Sequence, residues 1–363
     1  MNRTLTTPGK FILGRNALAH LADYLIPYGE NILLIALPED AERVDGALQI
    51  ARDRGVELTL ESFHGECSMA EIQRITQANR EGGYQAVIGL GGGKAIDTAK
   101  AVSSRLELPL IVIPTIASTD APCSAMAIVY DENHVMVCAE FLQKSPDIVL
   151  VDSEVIAKAP TKFLVAGFGD ALATYYEARA CVQSGAKNYV NGITTQAAWA
   201  LAQLCRDILL RDSAKALSAC KNNVVTTALE NVIEANLYLS CIGFESVGCA
   251  AAHALHNAMT VLEETHAASH GEKVAIGLLV QLILEDAPDE EMKLVLDYFN
   301  MVGLPVKLSQ IGLENATEAQ FRRVAQKVLS KKNSILNHPF EITEDMIVDA
   351  FQMVDSLQEI YYK

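Results

Sequence analysis

The sequence lacks the long apolar runs and the paired cysteines of membrane proteins and zinc ribbons. No stretch reaches the roughly 18 uninterrupted apolar residues expected of a membrane-spanning helix, and the opening MNRTLTTPGKFILG lacks the apolar core of a signal peptide. None of the eight cysteines forms a CxxC pair. Scattered single cysteines fit reduced, buried thiols, so we expect a cytoplasmic protein without a zinc ribbon.

Positive charge and low-complexity segments are also scarce. The 363 residues contain 29 Lys and Arg against 45 Asp and Glu, which gives a net charge of −16. A diffuse acidic balance argues against nucleic acid or an anionic membrane surface as a partner. Half of the residues are hydrophobic, enough for the core of one large or two medium domains.

Short apolar runs alternate with amphipathic segments over the first 150 residues. Runs typical of strands occupy 31–37, 57–63, 84–90, 108–114 and 146–152. Helical periods and glycine stops lie between several of them. This alternation predicts a Rossmann-like parallel sheet in an α/β domain. The segment 124–142 is predicted to form a hairpin laid against that sheet.

The rhythm changes after Val151, where nearly every segment is rich in Ala and Leu at helical spacing. We therefore predict an α/β nucleotide-binding domain over 1–155 and an all-α helical bundle over 156–363. The segment 153–163 is the expected hinge. Because ligand sites are common between domains, an active site is expected in an interdomain cleft.

A glycine-rich turn, AVIGLGGGKAIDTAK, spans Ala86–Lys100. A strand runs into three glycines, and a helix starts near Lys94. Glycines let the backbone approach a bulky anion, and a helix N-terminus offers free N–H groups. The pattern is neither GxGxxG nor a Walker loop. It predicts a phosphate cradle, and the alternative is a tight turn without a ligand.

A second polar turn, PTIASTDAPCSA, follows the strand that ends near Pro114. Thr115, Ser118, Thr119 and Asp120 place hydroxyls and a carboxylate at the carboxyl end of a strand, the functional edge of an open α/β sheet. The pattern favours ligand binding over an ordinary polar turn.

Four of the eight histidines lie in HALHNAMTVLEETHAASHGEK. His253 and His256 share a helix face, and His270 precedes a glycine. His266 lies between them near Glu263 and Glu264 and is expected to be a solvated loop residue. Spacing alone does not choose the metal ligands among them. A third, oxygen ligand must come from elsewhere, and Asp170 in GFGDALATYYEARA is a candidate whose alternative role is helix capping.

Several motifs together resemble the glycerol dehydrogenases of the iron- and zinc-containing (group III) alcohol dehydrogenase family. They are TTPGKFILG, GECSMAEI, GGGKAIDTAKA, PTIASTDAPCSA, GFGDALATYYEARA, ALENVIEANLYLSCIGFES, AAAHALHNAMT and HGEKVAIGLL. They match in type and order over nearly the whole chain. The resemblance implies a dehydroquinate synthase-like fold, an NAD-linked oxidation of glycerol or a related small 1,2-diol, and a homo-oligomer, often an octamer.

The resemblance also implies a role for individual residues. Asp170, His253 and His270 match the metal ligands, with one Zn²⁺ per subunit and Fe²⁺ or another divalent ion as the alternative. His256 matches a residue that lines the site, and Asp120 matches one that contacts substrate. The positions that match the NAD contacts are Gly92, Gly93, Lys94, Asp97, Thr115, Thr119, Ser124 and Tyr130.

Three positions depart from the family pattern. Leu37 stands where the family usually has an Asp that holds the adenosine ribose, so the resemblance leaves the NAD affinity open. Ala139 and Leu336 stand where relatives often carry Tyr and His. Two other functions therefore stay open: a dehydrogenase or reductase for another small hydroxyketone or hydroxy acid, and a paralogue that binds metal or nucleotide without turnover.

Overall fold

A computed structural model describes residues 1–330 and 333–362 and contains a six-stranded parallel sheet. The described residues contain eight strands, six of which form this sheet. They are β1 (Lys10–Gly14), β2 (Asn31–Ala36), β3 (Glu57–Ser62), β4 (Ala86–Gly91), β5 (Leu110–Pro114), β6 (Met126–Tyr130), β7 (Met136–Phe141) and β8 (Ile148–Asp152). The order in the sheet is β1-β8-β5-β4-β2-β3, and every pair is parallel. The predicted parallel sheet and its five predicted strands are confirmed.

The remaining two strands form the predicted hairpin. β6 and β7 pair antiparallel, with Met126 opposite Phe141 and a bulge next to Tyr130. The edge strand β1 has no counterpart among the predicted strands. It pairs with β8 along its whole length and is only partly buried, so its apolar signal is weaker than that of the buried strands beside it.

Helices dominate the second half of the chain, as predicted. The helices are α1 (Leu21–Leu25), α2 (Pro38–Arg43), α3 (Asp45–Asp53), α4 (Met69–Asn79), α5 (Gly93–Leu106), α6 (Ser153–Ala157), α7 (Thr161–Ser184), α8 (Gln196–Lys221), α9 (Thr227–Glu234), α10 (Ser240–Ser246), α11 (Ala251–Met259), α12 (His270–Leu284), α13 (Asp289–Val302), α14 (Glu318–Leu329), α15 (Glu344–Met353) and α16 (Leu357–Tyr361). A π-helical turn, Ala235–Leu239, joins α9 to α10. Within residues 1–330 and 333–362, none of these helices is both long and apolar enough to cross a membrane.

The chain forms two compact units. The α/β unit contains Thr6–Leu164 and Lys215–Tyr238, and the helical unit contains Met1–Leu5, Val165–Ala214 and Leu239–Lys363. Contacts within the α/β unit explain why it includes α9. The Ser153 hydroxyl donates to Glu230 at 2.9 Å, and the rings of Phe11 and Tyr238 lie 4.9 Å apart.

A buried ammonium group joins α5 to β6 in the α/β unit. The Lys100 side chain is fully buried, and its Nζ donates to Asp97 Oδ1 at 3.0 Å, Ser124 Oγ at 3.0 Å and the Met126 carbonyl at 2.7 Å. Asp97 Oδ2 also accepts from the Ile128 N–H at 3.0 Å. A buried charge is tolerated when it is paired and hydrogen-bonded in this way.

In the helical unit, the backbone of α12 lies directly against α7. A Cβ on Gly271 would lie 1.8 Å from the carbonyl oxygen of Ala166, and a Cβ on Gly169 would lie 2.5 Å from the Gly271 carbonyl oxygen. Only residues without a side chain allow this approach. The contact brings together the residues that flank these glycines, Asp170 and His270.

We predict that Gly271→Ala destabilises the protein by about 2 kcal/mol or more, because the new methyl meets a backbone carbonyl that cannot rotate away. The midpoint of urea unfolding measures the change. Gly46→Ala in α3 is the matched control, since a Cβ there meets nothing within 4 Å and alanine is the better helix former. Equal stability of Gly271→Ala and wild type would show that α7 and α12 are less closely packed than in this structure.

Candidate metal centre and nucleotide-binding turn

Three helices bring the predicted metal ligands to one point in the helical unit. Asp170 comes from α7, His253 from α11 and His270 from the first residue of α12. Asp170 Oδ1 lies 3.0 Å from His253 Nε2 and 2.7 Å from His270 Nε2. One ligand atom from each residue lies within 4.8 Å of the others. The structure thus joins side chains that are 83 and 100 residues apart in the chain.

The electrostatics of this group favour a cation between the three side chains. Asp170 is almost fully buried. Burial alone would raise the pKa of its carboxyl, but the positive charge of His270 and hydrogen bonds from both histidines hold that pKa well below its usual range. Burial would likewise lower the pKa of His253, but the flanking carboxylates of Glu177 and Asp170 raise it well above its usual value. A carboxylate between two imidazoles attracts positive charge, carried by protons or by a metal ion.

The donor set fits a catalytic divalent metal. Two imidazole nitrogens and one carboxylate oxygen are the ligands of catalytic zinc sites that keep a position for water or substrate. The same set with open positions also suits ferrous iron. The His253 and His270 side chains are 15% and 31% exposed, so the group is open on one side while Asp170 closes the other.

Sequence reasoning missed Glu177, a fully buried carboxylate beside this group. Its Oε2 is hydrogen-bonded to His253 Nδ1, and its Oε1 accepts from the N–H groups of Ala250 and His253 at 2.8 and 3.0 Å. Glu177 follows Asp170 by seven residues, two helical turns, and this spacing is the signal that was available. With Cys249 and His253 it forms a second group of potential metal ligands.

The other two histidines of the segment have different surroundings. His256 is buried, its ring packs edge-on against His270 at 4.2 Å between centroids, and its Nδ1 pairs with the Asn257 side chain at 3.1 Å. Burial and the positive charges of His270 and Lys273 hold the pKa of His256 well below its ordinary value. His266 donates to the Thr260 carbonyl at 2.9 Å, which gives it a role in the loop.

In the α/β unit, the glycine-rich turn joins β4 to α5. Gly91 has φ +139°, a conformation that only glycine adopts readily, and Gly92 caps α5. A Cβ on Gly93 would lie 3.3 Å from Thr119 Oγ1. The first turn of α5 therefore faces the polar turn after β5. Its N–H groups have no partners within the helix and can bind an anion, so the phosphate cradle stays a prediction.

Lys94, predicted on the pyrophosphate loop, is half-exposed and already has an acidic partner. Its Nζ donates to Glu66 Oε2 at 2.6 Å and lies 5.6 Å from the centre of the Tyr130 ring. His134 Nδ1 lies 2.5 Å from the same Glu66 oxygen. Tyr130 thus lies next to Lys94, and the cofactor contacts of both residues stay predictions.

Asp40, in the helix α2 that follows β2, is a buried carboxylate near Leu37, which itself has no polar side chain. Leu37 precedes α2 without a side-chain cap, whereas Asp40 is buried and its Oδ1 accepts from Thr115 Oγ1 and Arg43 Nη1, both at 3.1 Å. A Cβ on Gly91 would lie 2.9 Å from Asp40 Oδ2. Asp40 and Thr115 are thus hydrogen-bonded to each other, and Asp40 packs against Gly91 of the glycine-rich turn.

Three further predicted residues are buried in the same unit. Asp97 and Ser124 belong to the Lys100 network described above, which gives both a partner within the protein. Asp120 is 9% exposed and precedes the short 3₁₀ turn Ala121–Cys123.

Two positions that depart from the family pattern lie at surfaces. Ala139 is half-buried on β7 opposite Ile128, and Leu336 is 56% exposed. His338, two residues on, is buried within 3.5 Å of Glu285, and burial lowers its pKa to about 4.

Known proteins resemble this chain over its full length. A glycerol dehydrogenase of Pseudomonas putida is 42% identical to this chain, and the matched region covers 98% of each of the two chains. A glycolaldehyde reductase of Halobacterium salinarum is 38% identical, again over 98% of both. The crystal structure of a probable glycerol dehydrogenase from Sinorhizobium meliloti superposes with a TM-score of 0.93 at 40% identity, covering 99% of this chain and 100% of that one.

The profile of one family, described as iron-containing alcohol dehydrogenase, matches residues 8–153. The full-length relatives extend the same assignment to the helical unit. They confirm the predicted class of enzyme, an alcohol oxidoreductase, and imply the use of a metal and of NAD. The chain belongs to the iron-containing alcohol dehydrogenase family.

Proposed function

We propose that the protein oxidises glycerol to dihydroxyacetone, and related small 1,2-diols to hydroxyketones, in a reversible metal-dependent reaction with NAD. The observation that carries the proposal is the convergence of Asp170, His253 and His270 from three helices on one partly open point. The curated glycerol dehydrogenase at 42% identity supports the choice of substrate.

Each residue of the metal group has a distinct task in this reaction. Asp170 supplies the negative charge and the oxygen ligand, and the two histidines supply neutral nitrogen ligands. A bound divalent ion supplies Lewis acidity, which lowers the pKa of a substrate hydroxyl. Burial and the nearby positive charges lower the pKa of His256, which favours its neutral form. A neutral His256 would line the site without adding positive charge next to the metal.

The α/β unit is proposed to bind the cofactor and to orient substrate. NAD supplies the hydride acceptor. Gly92, Gly93 and the first turn of α5 would hold its pyrophosphate, with Lys94 exchanging its Glu66 partner for phosphate. Thr119 and Tyr130 border this turn, and Asp120 is proposed to orient a substrate hydroxyl. Thr115, Asp97 and Ser124 hold the surrounding turns through Asp40 and Lys100.

A second candidate function is the reduction of a small hydroxyaldehyde or hydroxyketone. The glycolaldehyde reductase at 38% identity favours it. The chemistry at the metal group is the same in both directions, so the two candidates differ in the substrate and in the favoured direction. A paralogue without turnover is disfavoured, because all three metal-ligand candidates are present and in contact.

Three finer features belong to the same proposal. We propose one Zn²⁺ per subunit, with Fe²⁺ as the alternative that the donor set also accepts. We propose a homo-oligomer, an octamer by family resemblance, and a cytoplasmic location. Light scattering on the purified protein determines the number of subunits.

Asp170→Ala and His270→Ala are expected to lose the metal and at least about 99% of turnover while the helices remain, because each removes a ligand atom. Metal content by mass spectrometry, NADH absorbance and circular dichroism measure the three effects. His256→Gln is the matched comparison for His253→Gln and should keep its metal. Equal metal loss in His256→Gln and His253→Gln would show that His256 is a ligand. Full activity of metal-free Asp170→Ala would contradict the assignment of Asp170 as a ligand of a catalytic metal.

Leu37→Asp is expected to tighten NAD binding at least tenfold. A carboxylate there can accept hydrogen bonds from ribose hydroxyls, and a hydrogen bond to a charged group contributes about 1.5–3 kcal/mol. Quenching of protein fluorescence by NAD measures the dissociation constant. Leu37→Asn provides an uncharged acceptor and should give a smaller gain. Unchanged affinity in both variants would place the ribose away from residue 37.

The proposed function predicts that glycerol and 1,2-propanediol are oxidised with NAD, and dihydroxyacetone reduced with NADH, only in the presence of a divalent metal. Initial rates at 340 nm, with NADP(H) as the control cofactor, provide the measurement. A strong preference for glycolaldehyde over dihydroxyacetone would favour the second candidate. Binding of zinc without turnover of any substrate would favour the paralogue.

A further inference from the structure

The buried carboxylate of Glu177 accepts hydrogen bonds from two backbone N–H groups and from one side chain. Its side chain is fully buried on α7, and three donors at the start of α11 converge on it: the N–H groups of Ala250 and His253 and the His253 Nδ1. Two are backbone groups at the start of the helix. The third belongs to the side chain whose other nitrogen, Nε2, lies 3.0 Å from Asp170 Oδ1.

The backbone contacts are those of a helix cap supplied by another helix. Ala250 precedes α11 and has no side chain that can cap it. Glu177 accepts the N–H groups of Ala250 and His253, and Gln281 of α12 accepts the N–H of Ala252 at 3.0 Å. These acceptors satisfy N–H groups that a helix cannot satisfy internally. Glu177 and Gln281 share this task, but of the two only Glu177 contacts a predicted metal ligand.

Carboxylates flank both nitrogens of His253, Glu177 at Nδ1 and Asp170 at Nε2. An ion bound at Nε2 leaves the proton of neutral His253 on Nδ1, where the Glu177 carboxylate accepts it in a hydrogen bond. The contact with Glu177 therefore favours the tautomer whose Nε2 lone pair lies on the side of Asp170 and His270. Carboxylates that orient metal-binding histidines in this way raise the metal affinity of a site. Asp170 and Glu177, two turns apart on α7, thus hold opposite ends of one imidazole.

We propose that Glu177 is a positioning residue for the metal: it holds His253 in the tautomer and orientation that bind the ion through Nε2. This inference rests on the proposed function, which needs a metal at Asp170, His253 and His270. It assigns Glu177 no contact with substrate or cofactor.

Glu177→Gln separates this role from helix capping. The amide oxygen can accept from the two backbone N–H groups or from His253 Nδ1, but not from both. If it stays with the two backbone donors, the amide N–H₂ faces His253 and moves its proton to Nε2, where it opposes the metal. Gln281→Met is the matched control, because it removes a cap of the same helix without contacting His253.

The dissociation constant of zinc, measured by competition with a chromophoric chelator at pH 7.5, is expected to rise about 10–100-fold in Glu177→Gln. It should stay within about threefold of wild type in Gln281→Met, and the lost turnover of Glu177→Gln should return at saturating zinc. Wild-type zinc affinity in Glu177→Gln, or equal losses in both variants, would overturn the inference.

If Glu177→Gln does not fold, Glu177→Asp is measured in the same way. Its shorter carboxylate keeps the charge but withdraws from Nδ1, so a several-fold loss of zinc affinity is expected and an unchanged affinity overturns the inference. A wild-type protein that binds no zinc, or binds it without turnover, would contradict the proposed function instead. The two failures are therefore distinguishable.

Discussion

The site of the helical unit depends on the contact between the backbones of α7 and α12. Gly271 touches the Ala166 carbonyl where a side chain cannot fit, and the residue before it, His270, then reaches Asp170 at 2.7 Å. A larger separation of the two helices would move His270 away from Asp170. The geometry of the metal group is thus determined by close packing as well as by the identity of its ligands.

Buried charge imposes a second constraint on the same helix. Asp170 and Glu177 are both carboxylates with almost no exposure, and each contacts one nitrogen of His253. Burying two carboxylates is costly unless hydrogen bonds and positive charge compensate them. The histidines, the start of α11 and the proposed ion provide that compensation. A group built in this way favours a bound cation, because without positive charge two buried carboxylates would be left uncompensated.

The sequence predicts those strands, helices and site residues that have a local hydrophobic pattern or a specific motif. Buried strands such as β2 and β5 have continuous apolar runs, and the family motifs predict Asp170, His253 and His270 as one ligand set, which the structure brings together. Edge strand β1 was missed because its exposure is mixed. Asp40, Lys100 and Glu177 were missed because their roles depend on partners elsewhere in the chain, among them Thr115, Ser124 and Ala250. The return of residues 215–238 to the α/β unit also has no local signature.

The central claim is that Asp170, His253 and His270 hold a catalytic metal, and X-ray absorption spectroscopy at the zinc edge of the zinc-loaded protein tests it most directly. The structure contains a competing group, Glu177, Cys249 and His253, which would add a thiolate ligand. Our account predicts only nitrogen and oxygen ligands at about 2.0–2.2 Å, two of them imidazoles. A sulfur ligand at about 2.3 Å, or zinc bound only through surface carboxylates, would contradict it.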